Sequence, residues 1–306
     1  MTDRRRFLGL AAAGVAALPL TSAFALQAGE PSRTARGAAL QRAAHQLLEV
    51  PPVFEDPLAL RIFGAQSVAW LGRNLDRFRT PRSRSMRAFL VMRSRFAEDE
   101  LARAYARGVR QYVVLGAGLD TFAYRNPHRG LKVFEVDYPA TQAWKRSRLR
   151  EQSIDIPART VFAPVDFETQ TLAAGLNAAG FRADRPAFFS WLGVTVYLSA
   201  DAVAGTLRYV AGRPAGSQVV FDFAPPPADL EGAQRRSHDR AASRVARSGE
   251  PWIGYYRPAP FAAQLRASGF ASVQVLGAED MNARYFGGRT DGFRLHGSGR
   301  MMTAQV

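Results

Sequence analysis

Two glycines and a carboxylate at fixed spacing in the middle of the chain are the residues best placed to do chemistry. Tyr112, Val113, Val114 and Leu115 form a short apolar run, and Gly116-Ala117-Gly118 follows at once. A β-branched apolar run ending in Gly-x-Gly is the pattern of a buried strand that closes in a tight turn, where backbone comes close to a ligand. Asp137 ends a second apolar run about twenty residues past the first glycine, the spacing at which a carboxylate on the next strand reaches ribose hydroxyls. Without a ligand, the same glycines make an ordinary strand–turn junction, and Asp137 an N-cap ahead of Pro139. Glu135, on the opposite face of that run, ranks below Asp137. A dinucleotide site needs a third glycine, so that a helix packs close beside the pyrophosphate. Thr121 stands in its place. That disfavours a nicotinamide oxidoreductase and favours a ligand with ribose and adenine but no phosphates, which points to S-adenosyl-L-methionine. Asp120, just past the turn, could meet the ammonium of such a ligand or cap the next helix.

These groups need a parallel sheet to position them. Strand-like runs at residues 111–115, 132–136, 160–165, 187–191, 218–223 and 271–276 alternate with helical runs at 139–152, 167–179, 199–212 and 260–268. Such alternation specifies a parallel sheet covered on both faces. Ligands of open sheets bind beyond the carboxyl ends of the strands, where Gly116, Gly118, Asp137, Asp166 and Gly193 fall. A last strand near residues 293–296 is expected to pair antiparallel with 271–276. Upstream, helical patterns at 38–48, 58–63, 66–75 and 85–105, with an Arg/Ser-rich connector at 80–85, form an expected N-terminal helical cap over residues 26–108. Residues 109–306 then form the ligand-binding domain, with a lid-like insertion at about 225–258.

LGAGLDTFAYR (residues 115–125), FEVDYP (134–139) and WLGVTVYL (191–198), together with RSRFAED (93–99) and GEPW (249–252), carry a family likeness. The chain resembles the leucine carboxyl methyltransferase family, in its bacterial branch of S-adenosyl-L-methionine-dependent methyltransferases, over residues 57–270. The resemblance implies a Rossmann-like class I methyltransferase fold of the α/β class: a mostly parallel seven-stranded sheet with helices on both faces. It implies S-adenosyl-L-methionine as cofactor and a small-molecule or peptide methyl acceptor, methylated at a carboxylate or hydroxyl oxygen. It also implies that Arg93 holds the methionine carboxylate through two parallel hydrogen bonds, with Arg95 as competitor. By the same resemblance Asp166 binds the adenine amino group, Phe167 flanks the adenine, and Tyr197 and Arg125 face the pocket. Read from residue type alone, Asp166 is a helix cap, Phe167 core, and Tyr197 and Arg125 packing and a salt link. One departure stands out. Many relatives carry an acid–glycine pair ahead of the LxYL stretch, and here Leu192 precedes Gly193, so that acid's adenine-side contact cannot be carried over. A carboxylate acceptor is already ionised at neutral pH and needs no strong base; a hydroxyl acceptor would need Tyr197 or a histidine. The rival reading is a non-catalytic exported binding protein that keeps the fold.

Composition narrows the classes further. The 306 residues carry a formal net charge of +15, and Lys132 and Lys145 are the only lysines. Arginine is dense between Arg73 and Arg110, yet no aromatic-interleaved module accompanies it, so no nucleic-acid partner is expected. The absence of cysteine excludes a thiol nucleophile, disulfides and a cysteine metal site. His45, His128, His238 and His296 show no ligand spacing, so no metal is expected, and Ser190 lacks the GxSxG frame of a hydrolase. At the N-terminus, Arg4-Arg5 with Phe7-Leu8, an apolar run over 9–20 and Ala23-Phe24-Ala25 form a twin-arginine-type signal peptide, residues 1–25. It implies export with no transmembrane span after its removal. The alternative is a cytoplasmic enzyme with an uncleaved apolar helix. Export carries a tension, because the cofactor is made in the cytoplasm.

Overall fold

The computed structural model describes residues 32–306; the expected signal segment lies outside them. Four helices precede the first strand: α1 (Arg33–Leu48), α2 (Leu58–Arg61), α3 (Ala65–Arg73) and α4 (Pro81–Ala106). Then follow β1 (Gln111–Leu115), α5 (Phe122–Arg125), β2 (Lys132–Asp137), α6 (Pro139–Glu151), β3 (Thr160–Pro164), α7 (Leu172–Ala178), β4 (Phe188–Trp191), α8 (Ala200–Ala211) and β5 (Gln218–Phe223). The chain closes with α9 (Gly232–Arg247), α10 (Pro258–Ala267), β6 (Ser272–Leu276), α11 (Ala278–Tyr285) and β7 (Arg300–Gln305). The seven strands form one sheet in the order β3-β2-β1-β4-β5-β7-β6. β1 to β5 are parallel, and β7 runs antiparallel between β5 and β6.

The strand period of two builds a core on each face. Tyr112, Val114, Phe188 and Val220 point to one side, where they meet Phe96 and Leu101 of α4. Val113, Leu115, Phe189, Trp191 and Phe221 point to the other, against Leu207 of α8 and Leu265 of α10. Burial on both faces explains why these strands read as continuous apolar runs. A third cluster, with Ala43, Ile62, Phe63 and Leu149, seats α1 to α3 on α6 and on Leu119 beside the glycine turn.

Several expectations needed correction. The last strand is Arg300–Gln305, not residues 293–296; Phe293 and Leu295 are buried loop residues. Their apolar character reports burial, and Asn282 of α11 satisfies both the N–H and the C=O of Leu295 in place of a strand partner. The expected connector at 80–85 is the start of α4: the Thr80 side chain accepts from Ser83 N, and Pro81 occupies the first helical turn, a favoured helix start. α7 begins only at Leu172, because Asp166 closes a turn through Gln170 and Thr171 supplies the cap. The short helix α11 was not anticipated; Asp280 accepts from Gly277 N at its start. No helix among the described residues is long and apolar enough to cross a membrane.

Candidate active site

The glycine turn at the tip of β1 is built for close approach. Gly116 (φ +66°) and Gly118 (φ +45°) lie in the left-handed region, which glycine enters without a Cβ clash. A Cβ on Gly116 would stand 2.3 Å from Val194 Cγ2, and one on Gly118 would stand 3.2 Å from Ala35 Cβ in the first turn of α1. The N–H groups of Gly116 and Ala117 donate to Val136 O at 2.8 and 3.0 Å, which ties the turn to β2. At the tip of β2, Asp137 accepts from Gly118 N through Oδ2 and from Tyr138 N through Oδ1. Burial pushes its carboxyl up to about 6, against the pull of both N–H donors and Lys145. Beneath it, Lys145 Nζ lies 2.8 Å from Glu135 Oε1, both side chains 1% exposed, and Tyr124 donates to the other Glu135 oxygen.

The remaining predicted residues are spread over several elements. Asp120, just before α5, accepts from Phe122 N at 2.8 Å and faces Arg42 at 3.7 Å. Burial works to raise its carboxyl, but the charges of Arg42, Lys145 and Arg125 outweigh it and hold the group low. Asp166 and Phe167 sit at the tip of β3. Asp166 accepts from Glu168 N at 3.0 Å, and the Phe167 ring lies 6.1 Å from Trp191. On α4, Arg93 turns inward to Asp222 at 3.2 Å, whereas Arg95 pairs with Asp99 with about half its side chain exposed.

Tyr197 lies in a single 3-10 turn after β4. Burial pushes its phenol above the ordinary value, opposed by the Trp252 and Thr34 side chains that face it. Arg125 belongs to a different group. Its fork engages both Glu98 oxygens, its Nε donates to Thr121 Oγ1, and Asp56 lies 3.5 Å away. Arg42 joins the same network through Asp56 and the carbonyl of Leu119. Arg125 therefore fastens α4 and the helices before it to the glycine turn. The structure gathers Gly116, Ala117, Gly118 and Asp137 at one point, and Arg93 and Tyr197 on the Gly193 side. Among the described residues no group of His, Asp and Glu is arranged to hold a metal.

Two acids escaped the sequence reading. Asp222, on β5, accepts from Gly193 N at 2.6 Å and from Arg93. A single carboxylate inside an otherwise apolar strand was its only signal. Glu250, in the GEPW stretch, accepts from Ser32 Oγ, Arg33 N, Thr34 N and Thr34 Oγ1. It thereby holds the first turn of α1 over the glycine turn. The segment that carries it also docks behind the site, with Ile253 N and Gly254 N on Val196 O.

Known proteins resemble this chain in sequence and in fold. Residues 35–211 match the leucine carboxyl methyltransferase family. A Bacillus subtilis protein named "Putative S-adenosyl-L-methionine-dependent methyltransferase YktD" is 28% identical over 289 residues, 87% of this chain and 95% of that one. A Frankia alni protein of the same description is 36% identical over 203 residues, 62% of this chain and 68% of the relative. Among solved structures, a "putative methyltransferase" from Thermobifida fusca aligns with TM-score 0.55 at 15% identity, over 91% of this chain and 96% of that one. A DUF574 family protein from Streptomyces avermitilis aligns with TM-score 0.52, also at 15% identity, over 88% and 96%. Those two show the fold, and the sequence match spans more than half of the 306 residues: the chain belongs to the leucine carboxyl methyltransferase family.

Proposed function

We propose that this chain transfers the methyl group of S-adenosyl-L-methionine to an oxygen, carboxylate or hydroxyl, of a small molecule or peptide. The broader class is that of its family: it is an S-adenosyl-L-methionine-dependent methyltransferase. The observation that carries the reading is the contact of the Asp137 carboxylate with the glycine turn at the joined tips of β1 and β2. The residues fit the cofactor. Asp137 accepts from ribose hydroxyls, and Gly116 and Gly118 let the turn take its left-handed course with Val194 and Ala35 packed against it. Asp166 and Phe167 line the adenine end, and Arg93 lies toward the methionine end.

The bound cofactor supplies an electrophilic sulfonium methyl. The chain positions the acceptor oxygen in line with it and excludes water, since orientation alone removes much of such a barrier. A tyrosine phenol is neutral at physiological pH, and burial raises that of Tyr197 further, so it can donate a hydrogen bond to an acceptor oxygen but does not serve as a ready base. That favours a carboxylate, whose oxygen attacks as the anion: the new O–CH3 bond replaces the S–CH3 bond, and the products are the neutral ester and the neutral thioether, with no proton to remove. Arg125 acts by holding the glycine turn in place. Export rests on the twin-arginine pattern of residues 1–25; a periplasmic or external enzyme would leave the cytoplasm with its cofactor already bound. Calorimetric titration with S-adenosyl-L-methionine, S-adenosylhomocysteine and NAD tests the cofactor: the first two should bind, and binding of NAD alone would sink the reading. Alkali-labile methyl incorporation into candidate acids would then separate esters from ethers.

A further inference from the structure

The methionine end of the cofactor carries an ammonium and a carboxylate on one carbon, so the part of the site that receives it needs charges of both signs. Asp120, the acid just past the glycine turn, is already engaged by Phe122 N and the Arg42 guanidinium. The register of β4 and β5 matters here. Trp191 pairs with Phe221 in parallel, so the next residue of each strand, Leu192 and Asp222, come side by side at the carboxyl ends. Asp222 is 5% exposed in a strand whose other residues are all buried. A carboxylate is kept in such a place only with partners. It has two, the Gly193 N–H at 2.6 Å and Arg93 Nη1 at 3.2 Å, and an ionised carboxylate offers about four acceptor positions. Gly193, at φ +71°, has the Arg93 guanidinium within 2.5 Å of where a Cβ would be, so only glycine leaves room for the pair.

We infer that Asp222 receives the ammonium of the cofactor's methionine moiety and, with Arg93, forms a two-charge clamp for that zwitterion. This assignment rests on the cofactor reading above.

The test uses the full-length protein, titrated by calorimetry with S-adenosylhomocysteine and with methylthioadenosine, which keeps the adenine, ribose and sulfur but lacks the amino-acid end. Asp222→Asn should weaken S-adenosylhomocysteine by about tenfold or more, since removing one charge from a buried pair leaves the other unmatched, and should leave methylthioadenosine unchanged. Equal loss of both ligands, or no loss of either, overturns the assignment. Should the variant fail to fold, the wild-type protein gives the same answer with deaminated S-adenosylhomocysteine, in which hydrogen replaces the amino group. Equal affinity for the two overturns the clamp. Wild-type protein that binds no S-adenosylhomocysteine overturns the cofactor reading itself, whereas normal wild-type binding with an unchanged Asp222→Asn variant overturns the clamp alone.

Discussion

The carboxylate of Asp137 accepts the backbone N–H of Gly118, so the acid at the tip of β2 is bound to the glycine turn at the tip of β1. Burial holds that carboxyl at about 6, above the value near 3.9 of an unfolded chain. The folded state therefore disfavours the charged form. The contribution of this group to stability is greatest below pH 4, falls as the pH rises towards 6, and is unfavourable but constant above that. Cofactor affinity should run the other way, falling below about pH 6 as the carboxyl protonates and loses acceptor capacity. Asp137→Asn should flatten both profiles and weaken cofactor binding by about ten- to a hundredfold, since hydrogen bonds to a charged group contribute about 1.5–3 kcal/mol. Thermal melts and titrations across pH 4–8 check it; a parallel pH slope in the variant would assign the effect to another group.

How much of this was legible in the sequence follows from how local each signal is. β1 and β5 were read at their observed bounds, because a strand buried on both faces is a continuous apolar run. The glycines and Asp137 were legible because the βαβ unit fixes their spacing. Residues 293–296 misled for the converse reason: a buried loop is as apolar as a strand. Asp222 and Arg93 are 129 residues apart, and Glu250 and Ser32 are 218 apart. Each pair exists only because the sheet order and the α9–α10 region bring distant segments together, and no pattern in one sequence records that.

Gly116→Ala should be costly. The residue is at φ +66°, and the new methyl group would lie 2.3 Å from Val194 Cγ2. Left-handed strain alone costs about 1–3 kcal/mol, and relief of the clash must displace the turn after β4. A melting temperature several degrees lower together with lost cofactor binding is the expected result. Intact binding would show that the turn can yield without harm.

Glu250→Ala removes the acceptor for four donors at the start of α1. Anions at a helix N-terminus and capping side chains each contribute about 0.5–2 kcal/mol. Global stability should fall by that order, and amide exchange should speed up in the first turn of α1, over Arg33 to Arg36, more than in β1 or β5. Because that turn lies against Gly118, the cofactor off-rate should rise as well. Unchanged exchange in α1 would mean that Ser32 and Thr141, whose hydroxyl accepts from Ser32 N at 3.1 Å, hold the turn without Glu250.

Arg125→Met separates a structural role from a catalytic one. Arg125 answers Glu98 and Asp56 in a partly enclosed network, and burial already works to raise the Glu98 carboxyl despite the arginine. Removing the guanidinium leaves two carboxylates facing each other with only Arg42 nearby, a loss of about 3–5 kcal/mol for a buried pair. The chain should therefore melt well below the wild type, and more so as the pH rises and Glu98 ionises. Lower pH should recover part of the loss, since a protonated Glu98 no longer needs the cation. Activity per folded molecule, measured well below the melting point, should fall much less than stability does. A variant that melts like the wild type but is inactive would instead place Arg125 against the acceptor.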